Sequence, residues 1–257
     1  MASAVVLITG ANRGIGSGII KWYLSRPNHT VIAANRDPDH PSSKALNELP
    51  RAEGTSLLVI KIDATLRDDP RKAVDTLKSK GINHVDILVA NAGIRLSGPM
   101  VRELDTDEVQ THIVPNVYGF IWLFKAMYPL LKAAKAPIWV TIGSSAAFLT
   151  VMSYKLYSPS LIIVTKLIRR NMLAVHNAAY APTKLMLHWY TKAIHIEEPW
   201  LNAFPIDPGW VRTNLGGDDA PVTVEESAEG IVKVIDVATR DTHSGKLWSY
   251  QGHEVPW

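Results

Sequence analysis

The chain has 257 residues, 47% hydrophobic and 20% charged, with a formal net charge of +3 and no cysteine. That balance suits a globular protein with a sizeable core, excludes disulfides and thiolate metal sites, and offers no basic stripe for a nucleic-acid partner. No apolar run approaches membrane-spanning length, and the N-terminus enters a strand pattern with no basic region or cleavage pattern, so neither a signal peptide nor a membrane partner is expected and residence is expected to be cytoplasmic.

The first apolar run, 4–9, leads into Thr9-Gly10-Ala11-Asn12-Arg13-Gly14-Ile15-Gly16, and a helix pattern follows over 15–26. Strand, glycine turn and helix make the dinucleotide-binding unit. The glycines allow a sharp turn, close backbone approach to a pyrophosphate, and tight packing of helix on strand. The helix N-terminus offers unpaired N–H groups and a positive dipole end to phosphates. Asn12 and Ile15 belong to the same phosphate-facing turn.

Further strands are expected at 30–35, 56–62, 85–90, 137–143, 201–206 and 246–250, and helices at 42–49, 69–80, 106–134, 181–198 and 223–239. Pro115 and Pro129 predict a kink or break in the long 106–134 helix. Thr223 with Glu226 three residues on reads as a capping box. Strands alternating with helices predict one α/β domain over 1–257, a doubly wound, mostly parallel seven-stranded sheet with helices on both faces. Ligands of such sheets bind beyond the carboxyl ends of the strands. Gly10, Asn35-Arg36, Asp63, Asn91, Ser144 and Asp207-Pro208-Gly209 fall there. No acidic residue occurs from Val109 to Ile196, which reads mainly as burial.

The catalytic candidate is Tyr180-Ala-Pro-Thr-Lys184. Residues i and i+4 share a helix face, so the Lys184 ammonium can sit beside the Tyr180 phenol. A free phenol titrates near 10, and bringing it near 7 needs roughly 4 kcal/mol. One cation at about 4 Å in an effective dielectric near 20 supplies about that much. The tyrosine could then protonate a carbonyl oxygen as hydride arrives. A second pair with the same spacing, Tyr128 and Lys132, precedes the strand that carries the serines and reads as an ordinary helix end. Ser144 or Ser145 emerges at the end of strand 137–143, with Ser144 favoured. None of the nine histidines has metal-ligand spacing, so no metal is expected; His188 and His195 read as interface or surface residues.

Gly10, Gly14, Gly16, Asn91-Ala92-Gly93, Asn116, Ser144, Tyr180, Lys184 and Pro208-Gly209 occur in this order across most of the chain. Together they resemble the short-chain dehydrogenase/reductase family, which implies a Rossmann-type domain and a reductase or dehydrogenase with a nicotinamide cofactor. By that resemblance Asp63 holds the adenine edge, Asn91, Ala92 and Gly93 support the adenosine side, and Asn116 completes a proton relay to Lys184. Lys184 also binds the nicotinamide ribose, and Ile206, Pro208, Gly209, Val211 and Thr213 border the nicotinamide. The closing segments Ile206–Thr213 and Ser249–Trp257 resemble fungal ketoreductases of the norsolorinic acid reductase type, which reduce ketones on polyketides in secondary metabolism. The resemblance also implies a homodimer or homotetramer paired through helices 106–134 and 181–198.

Cofactor choice follows from charge. In NAD-preferring members an acidic residue after the second strand takes the ribose hydroxyls. Here Arg36 follows that strand, and Arg13 stands in the glycine turn; two guanidiniums suit a 2′-phosphate. Asp37 argues the other way but lies one residue further on. NADPH is therefore expected over NADH, and with it reduction of a small-molecule ketone. Phe148, Trp210 and an insertion at 151–175 are expected to shape the substrate pocket. Ser144 and Tyr180 stand 36 residues apart, far more than in many family members, and 151–175 accounts for the excess. That segment reads as a substrate-shaping lid, a passive surface loop, or a gene-model artefact. Two other functions remain open: an NADP(H)-binding redox sensor without turnover, and an enzyme disabled because the insertion separates Tyr180 from Ser144.

Overall fold

In the computed structural model, residues 4–148 and 177–256 are described. The 151–175 insertion lies outside them. The strands alternate their side chains between two cores, one on each face of the sheet. Along β1 (Val5–Thr9), Val5 and Leu7 enter one cluster while Val6 and Ile8 enter the other. Both faces are apolar because helices cover both, which is why the strands read as unbroken hydrophobic runs.

The first unit runs β1, α1 (Gly14–Leu24), β2 (Thr30–Asn35), a short α2 (Pro41–Lys44) continued by a 3-10 turn, β3 (Ser56–Lys61), α3 (Asp69–Ser79) and β4 (Ile87–Ala90). Next come α4 (Thr106–Ile113), α5 (Gly119–Lys132), β5 (Ile138–Ile142), α6 (Ala181–Glu197) and β6 (Asn202–Asp207). The described chain closes with α7 (Val224–Val237), α8 (Arg240–His243), β7 (Leu247–Ser249) and β8 (Glu254–Val255). The sheet order is β3-β2-β1-β4-β5-β6-β7-β8. All pairs are parallel except β7 with β8. The chain leaves β1 toward β2 on one side and returns to β4 on the other. The crevice at this reversal, beyond the strand ends, is where such sheets bind ligands.

Three local expectations change, and the interruption expected at Pro115 is found. The sheet has eight strands rather than seven: residues 249–252 turn back so that a two-residue strand can pair with β7. The 106–134 segment is two helices joined by a π turn over Val114–Tyr118 that contains Pro115. A proline lacks the N–H that a regular helix needs, and the wider turn absorbs the mismatch. Pro129, by contrast, lies within α5 without ending it. At α7 only half of the capping box forms: Thr223 Oγ1 accepts from the Glu226 N–H at 3.1 Å, while the Glu226 carboxylate accepts from the Tyr250 hydroxyl at 3.3 Å.

On one face, α1 and α7 pack side by side over Ile19, Ile20, Ala228 and Ile231. Their approach requires Gly18, where an added Cβ would lie 2.7 Å from Ala228 Cβ and 3.0 Å from Val224 Cγ1. A side chain here would push α1, and with it the glycine turn, away from α7. Gly18→Val is expected to cost about 2 kcal/mol of stability through overpacking. A urea midpoint equal to wild type would contradict that close approach.

Candidate active site

The glycine turn is held by β4. Asn91 Nδ2 donates to the carbonyl oxygens of Thr9 (2.7 Å) and Gly10 (3.1 Å), and Thr9 Oγ1 accepts from the N–H groups of Asn91 and Ala92 at 3.0 Å each. Gly10 and Gly14 adopt φ +62° and +53°, which only glycine takes without strain. Gly16 serves close packing instead, since a Cβ there would stand 2.4 Å from the Gly10 carbonyl oxygen. Arg13 occupies the N-cap of α1 in extended backbone, no side chain caps the helix, and its first turn carries no acidic residue. Uncapped N–H groups, a positive dipole end and no competing carboxylate fit a phosphate.

Apart from Gly16, Asn116 and Ile206, every residue singled out in the sequence for catalysis or cofactor binding opens onto one cleft of about 800 Å³. Gly16 lies beneath the turn and Asn116 behind the wall. At one end stand Arg13, Arg36 and Asp37, joined by His40, which the sequence did not suggest. Both arginines are exposed. Asp37 turns its Oδ1 to the Asp39 N–H at 2.9 Å. His40 Nδ1 pairs with Ser42 Oγ at 2.8 Å, and Ser42 Oγ accepts from Asn12 Nδ2 at 2.7 Å, linking this loop to the glycine turn. Asp63 Oδ1 accepts from the Thr65 N–H and hydroxyl at 2.8 and 2.7 Å.

The other end is built on the seam between β5 and α6. Tyr180, Lys184 and His188 recur every four residues and so share one face of α6. Lys184 Nζ donates to the Ile142 carbonyl at 2.8 Å, at the last residue of β5. His188 Nε2 accepts from the Ser144 N–H at 3.3 Å. Gly143, between them, has no room for a side chain: a Cβ would lie 2.4 Å from His188 Nε2. His188 is therefore buried against the serine turn rather than at the surface, and Phe148 packs on it at 6.1 Å between ring centroids instead of lining the cleft. Burial and the Lys184 charge bring His188 down to about 3, so its imidazole is neutral at physiological pH. His195 lies further along α6, its Nδ1 paired with Ser244 Oγ at 2.8 Å.

The two serines part company at this turn. Ser144 faces the Tyr180 phenol and favours its ionised form, while the Ser145 N–H donates to the half-buried Asp207 Oδ1 at 2.9 Å. Ser144 and Tyr180 are thus together despite the long stretch between them, and the separation that would mark a disabled site is not seen. Burial raises Tyr180 well above the ordinary phenol value and outweighs the lowering by Ser144 and by the positive charge of Arg95; Asp207 adds to the rise. The expected close Lys184–phenol contact takes another form: Lys184 Nζ lies 5.8 Å from the Tyr180 ring centroid, its position fixed by Ile142.

Asn116 sits in the π turn and braces the wall. Its Oδ1 accepts from the Ile94 N–H at 2.8 Å, and its Nδ2 donates to the Ile94 carbonyl and Thr183 Oγ1 at 3.0 Å each. The Pro208 carbonyl accepts from Ser227 at 2.8 Å, and Thr213 Oγ1 accepts from the Gly216 N–H at 3.0 Å. Ile206 is fully buried within β6 and does not reach the cleft, whereas Trp210 lines it. Arg95, His188 and Asp207 were given no role from the sequence. The four-residue recurrence after Tyr180 could have exposed His188; nothing local marks Arg95.

Burial brings the Lys184 ammonium from 10.5 down to about 8. Between these values the unfolded chain holds a proton that the folded protein does not, so stability rises with pH across this window, and below about 8, where both are protonated, the full desolvation penalty stands. Relative to Lys184→Met, the cofactor-free wild type is expected to gain about 3 kcal/mol on going from about pH 7.5 to about pH 10.5. Denaturant titrations of both proteins at the two pH values measure it, and parallel behaviour would show that Lys184 is not desolvated.

The short chain dehydrogenase family model matches residues 4–178. The Neurospora crassa short-chain dehydrogenase srdF is 36% identical over 99% of this chain and 98% of its own length. The norsolorinic acid ketoreductase nor1 of Dothistroma septosporum is 37% identical over 98% of this chain and 91% of its own. Among solved structures, an NADPH-bound carbonyl reductase from chicken fatty liver superposes with a TM-score of 0.81 at 24% identity, covering all of both chains. A phosphate-fitting glycine turn, a serine and a buried tyrosine brought to one cleft across the β5–α6 seam, and full-length relatives of one kind converge: the chain belongs to the short-chain dehydrogenase family and is an oxidoreductase acting at the carbonyl/alcohol level.

Proposed function

We propose that the protein is an NADPH-dependent ketoreductase that reduces a ketone on a polyketide or another secondary-metabolite carbonyl compound. The observation that carries this reading is that Ser144, the buried Tyr180 phenol and Lys184 line one end of a cleft whose other end presents Arg13 and Arg36. The uncapped start of α1 would hold the pyrophosphate, the two arginines a 2′-phosphate, and Asp63 the adenine edge. Asn91, Ala92 and Gly93 would back the adenosine side, Lys184 the nicotinamide ribose, and Pro208, Gly209, Val211 and Thr213 the nicotinamide. NADPH, when bound, supplies the hydride.

The chain's own residues handle the oxygen. The Ser144 hydroxyl bonds the substrate carbonyl and polarises it. Tyr180, kept protonated by burial, gives the proton on its Oη to that oxygen as negative charge develops there. The phenolate left behind is held by the Ser144 hydroxyl and by the charges of Arg95 and Lys184, and takes its proton back from solvent. Asn116 braces the loop after Gly93 against Thr183 beside Lys184. Burial keeps the phenol in the protonated form that a donor needs, and makes its proton harder to give up until cations hold the phenolate. A cofactor sensor would have no use for a phenol facing a serine at this position.

The whole chain is read as one nucleotide-binding domain working in the cytoplasm. Among the described residues no helix is long and apolar enough to cross a membrane. Leu185, Trp189 and Ile196 form an exposed apolar line on α6, with Trp189 66% exposed, and Tyr118 is exposed at the start of α5. Two copies of the chain would cover these faces.

Tyr180→Phe is expected to abolish NADPH oxidation over a ketone panel while NADPH still binds, as followed by cofactor fluorescence; undiminished turnover would sink the mechanism. Arg36→Asp is expected to raise the NADPH Kd by about tenfold or more while changing NADH little, since it removes a charge-assisted contact to a phosphate that NADH lacks. Equal effects on the two cofactors in a binding titration would refute the 2′-phosphate assignment.

A further inference from the structure

Arg95 follows the Asn91-Ala92-Gly93 loop and lines the same cleft as Ser144 and Tyr180. Its side chain is fixed from two directions. Nε donates to Asn177 Oδ1 at 2.8 Å, and Nη1 donates to the Leu215 carbonyl at 3.2 Å. Asn177 stands three residues before Tyr180, and Leu215 lies in the loop after β6, so Arg95 spans the mouth between these segments. The backbone reinforces the link, the Ala178 N–H donating to the Pro99 carbonyl at 3.2 Å.

Both partners of Arg95 are neutral acceptors. Among the described residues no carboxylate lies within ion-pairing distance of it, although eight lysines and arginines have such a partner. A guanidinium carries five N–H donors in a planar fork, and the described chain uses two. A half-buried cation that its own protein leaves without a counter-ion is unfavourable until an anion arrives. Its two tethers hold it in advance, which lowers the entropy lost on binding. Its charge also acts on the Tyr180 phenol, so it lies within electrostatic reach of the point where a substrate oxygen would be protonated. The phosphate-fitting groups of the cofactor, at the start of α1 and at Arg13 and Arg36, belong to a different part of the cleft.

We propose that Arg95 is an anion anchor for the substrate: the ketone reduced at Ser144 and Tyr180 carries an ionised oxygen, a carboxylate or an acidic phenolate, that occupies the open side of the Arg95 fork. This rests on the reductase reading and narrows its substrate class.

The test uses the NADP-loaded full-length protein and matched ketones: 3- and 4-acetylbenzoate against their methyl esters, with 4-hydroxyacetophenone above and below its phenol pKa as the phenolate arm. Tryptophan fluorescence reads binding, and NADPH oxidation reads turnover. Wild type is expected to favour at least one ionised form over its neutral partner by about tenfold in Kd and kcat/KM. Arg95→Gln is expected to erase that ratio, mainly through KM, and Arg95→Lys to keep part of it. A purely structural latch would lower acid and ester together and leave the ratio alone. The proposal is overturned if wild type shows no ratio for any pair, or if the ratio survives in Arg95→Gln. Should that variant fail to fold, the wild-type ratio and its loss at high salt decide. Selective binding of the anion with no NADPH oxidation would leave the anchor standing and overturn the reductase reading instead.

Discussion

The seam between α6 and the carboxyl end of β5 holds the site together. Lys184 reaches over the strand end to the Ile142 carbonyl, His188 accepts the Ser144 N–H, and Gly143 between them is bare so that the imidazole can fit. These two bonds fix where the serine turn emerges relative to the helix that carries Tyr180. A strand end and a helix separated by a long stretch of sequence are thereby registered to one another, and the meeting of serine and phenol at one cleft follows.

That registry puts ionisable groups where water is scarce. Lys184 is brought down to about 8, His188 to about 3, and Tyr180 is pushed up. All three shifts have the same leading cause, the cost of keeping a charge away from solvent. The result is selective. The imidazole stays neutral and serves as an acceptor, the phenol stays protonated, and Lys184, at about 8, keeps most of its charge at neutral pH. Burial thus gives the site the polarity of an acid. The cations near the phenol become most useful once it has given up its proton.

The opposite end of the cleft follows another logic. Arg13 and Arg36 are exposed, so their charges stay solvated, and the start of α1 is uncapped. Asn91 ties the turn to β4, so the cradle is formed before anything binds. Between the two ends the cleft carries Arg95, a fixed cation whose protein contacts are neutral.

The sequence alone determined the alternation of strands and helices, the glycine turn, and the Tyr180–Lys184 spacing. Each of these is local: side-chain period, backbone freedom and helical geometry act within a few residues. It foresaw a kink or break in the 106–134 segment, which the π turn around Pro115 supplies, and it missed β8, too short to leave a pattern. Only the tertiary structure separated Ser144 from Ser145, because the distinction depends on Tyr180 and Asp207, both distant in the chain. It moved His188 from the surface to the strand end, turned the Asn116 side chain to Ile94 and Thr183, and set Arg95 beside the phenol. Such contacts join segments through packing and desolvation, and no run of neighbouring residues encodes which partners will meet or how much water will remain between them.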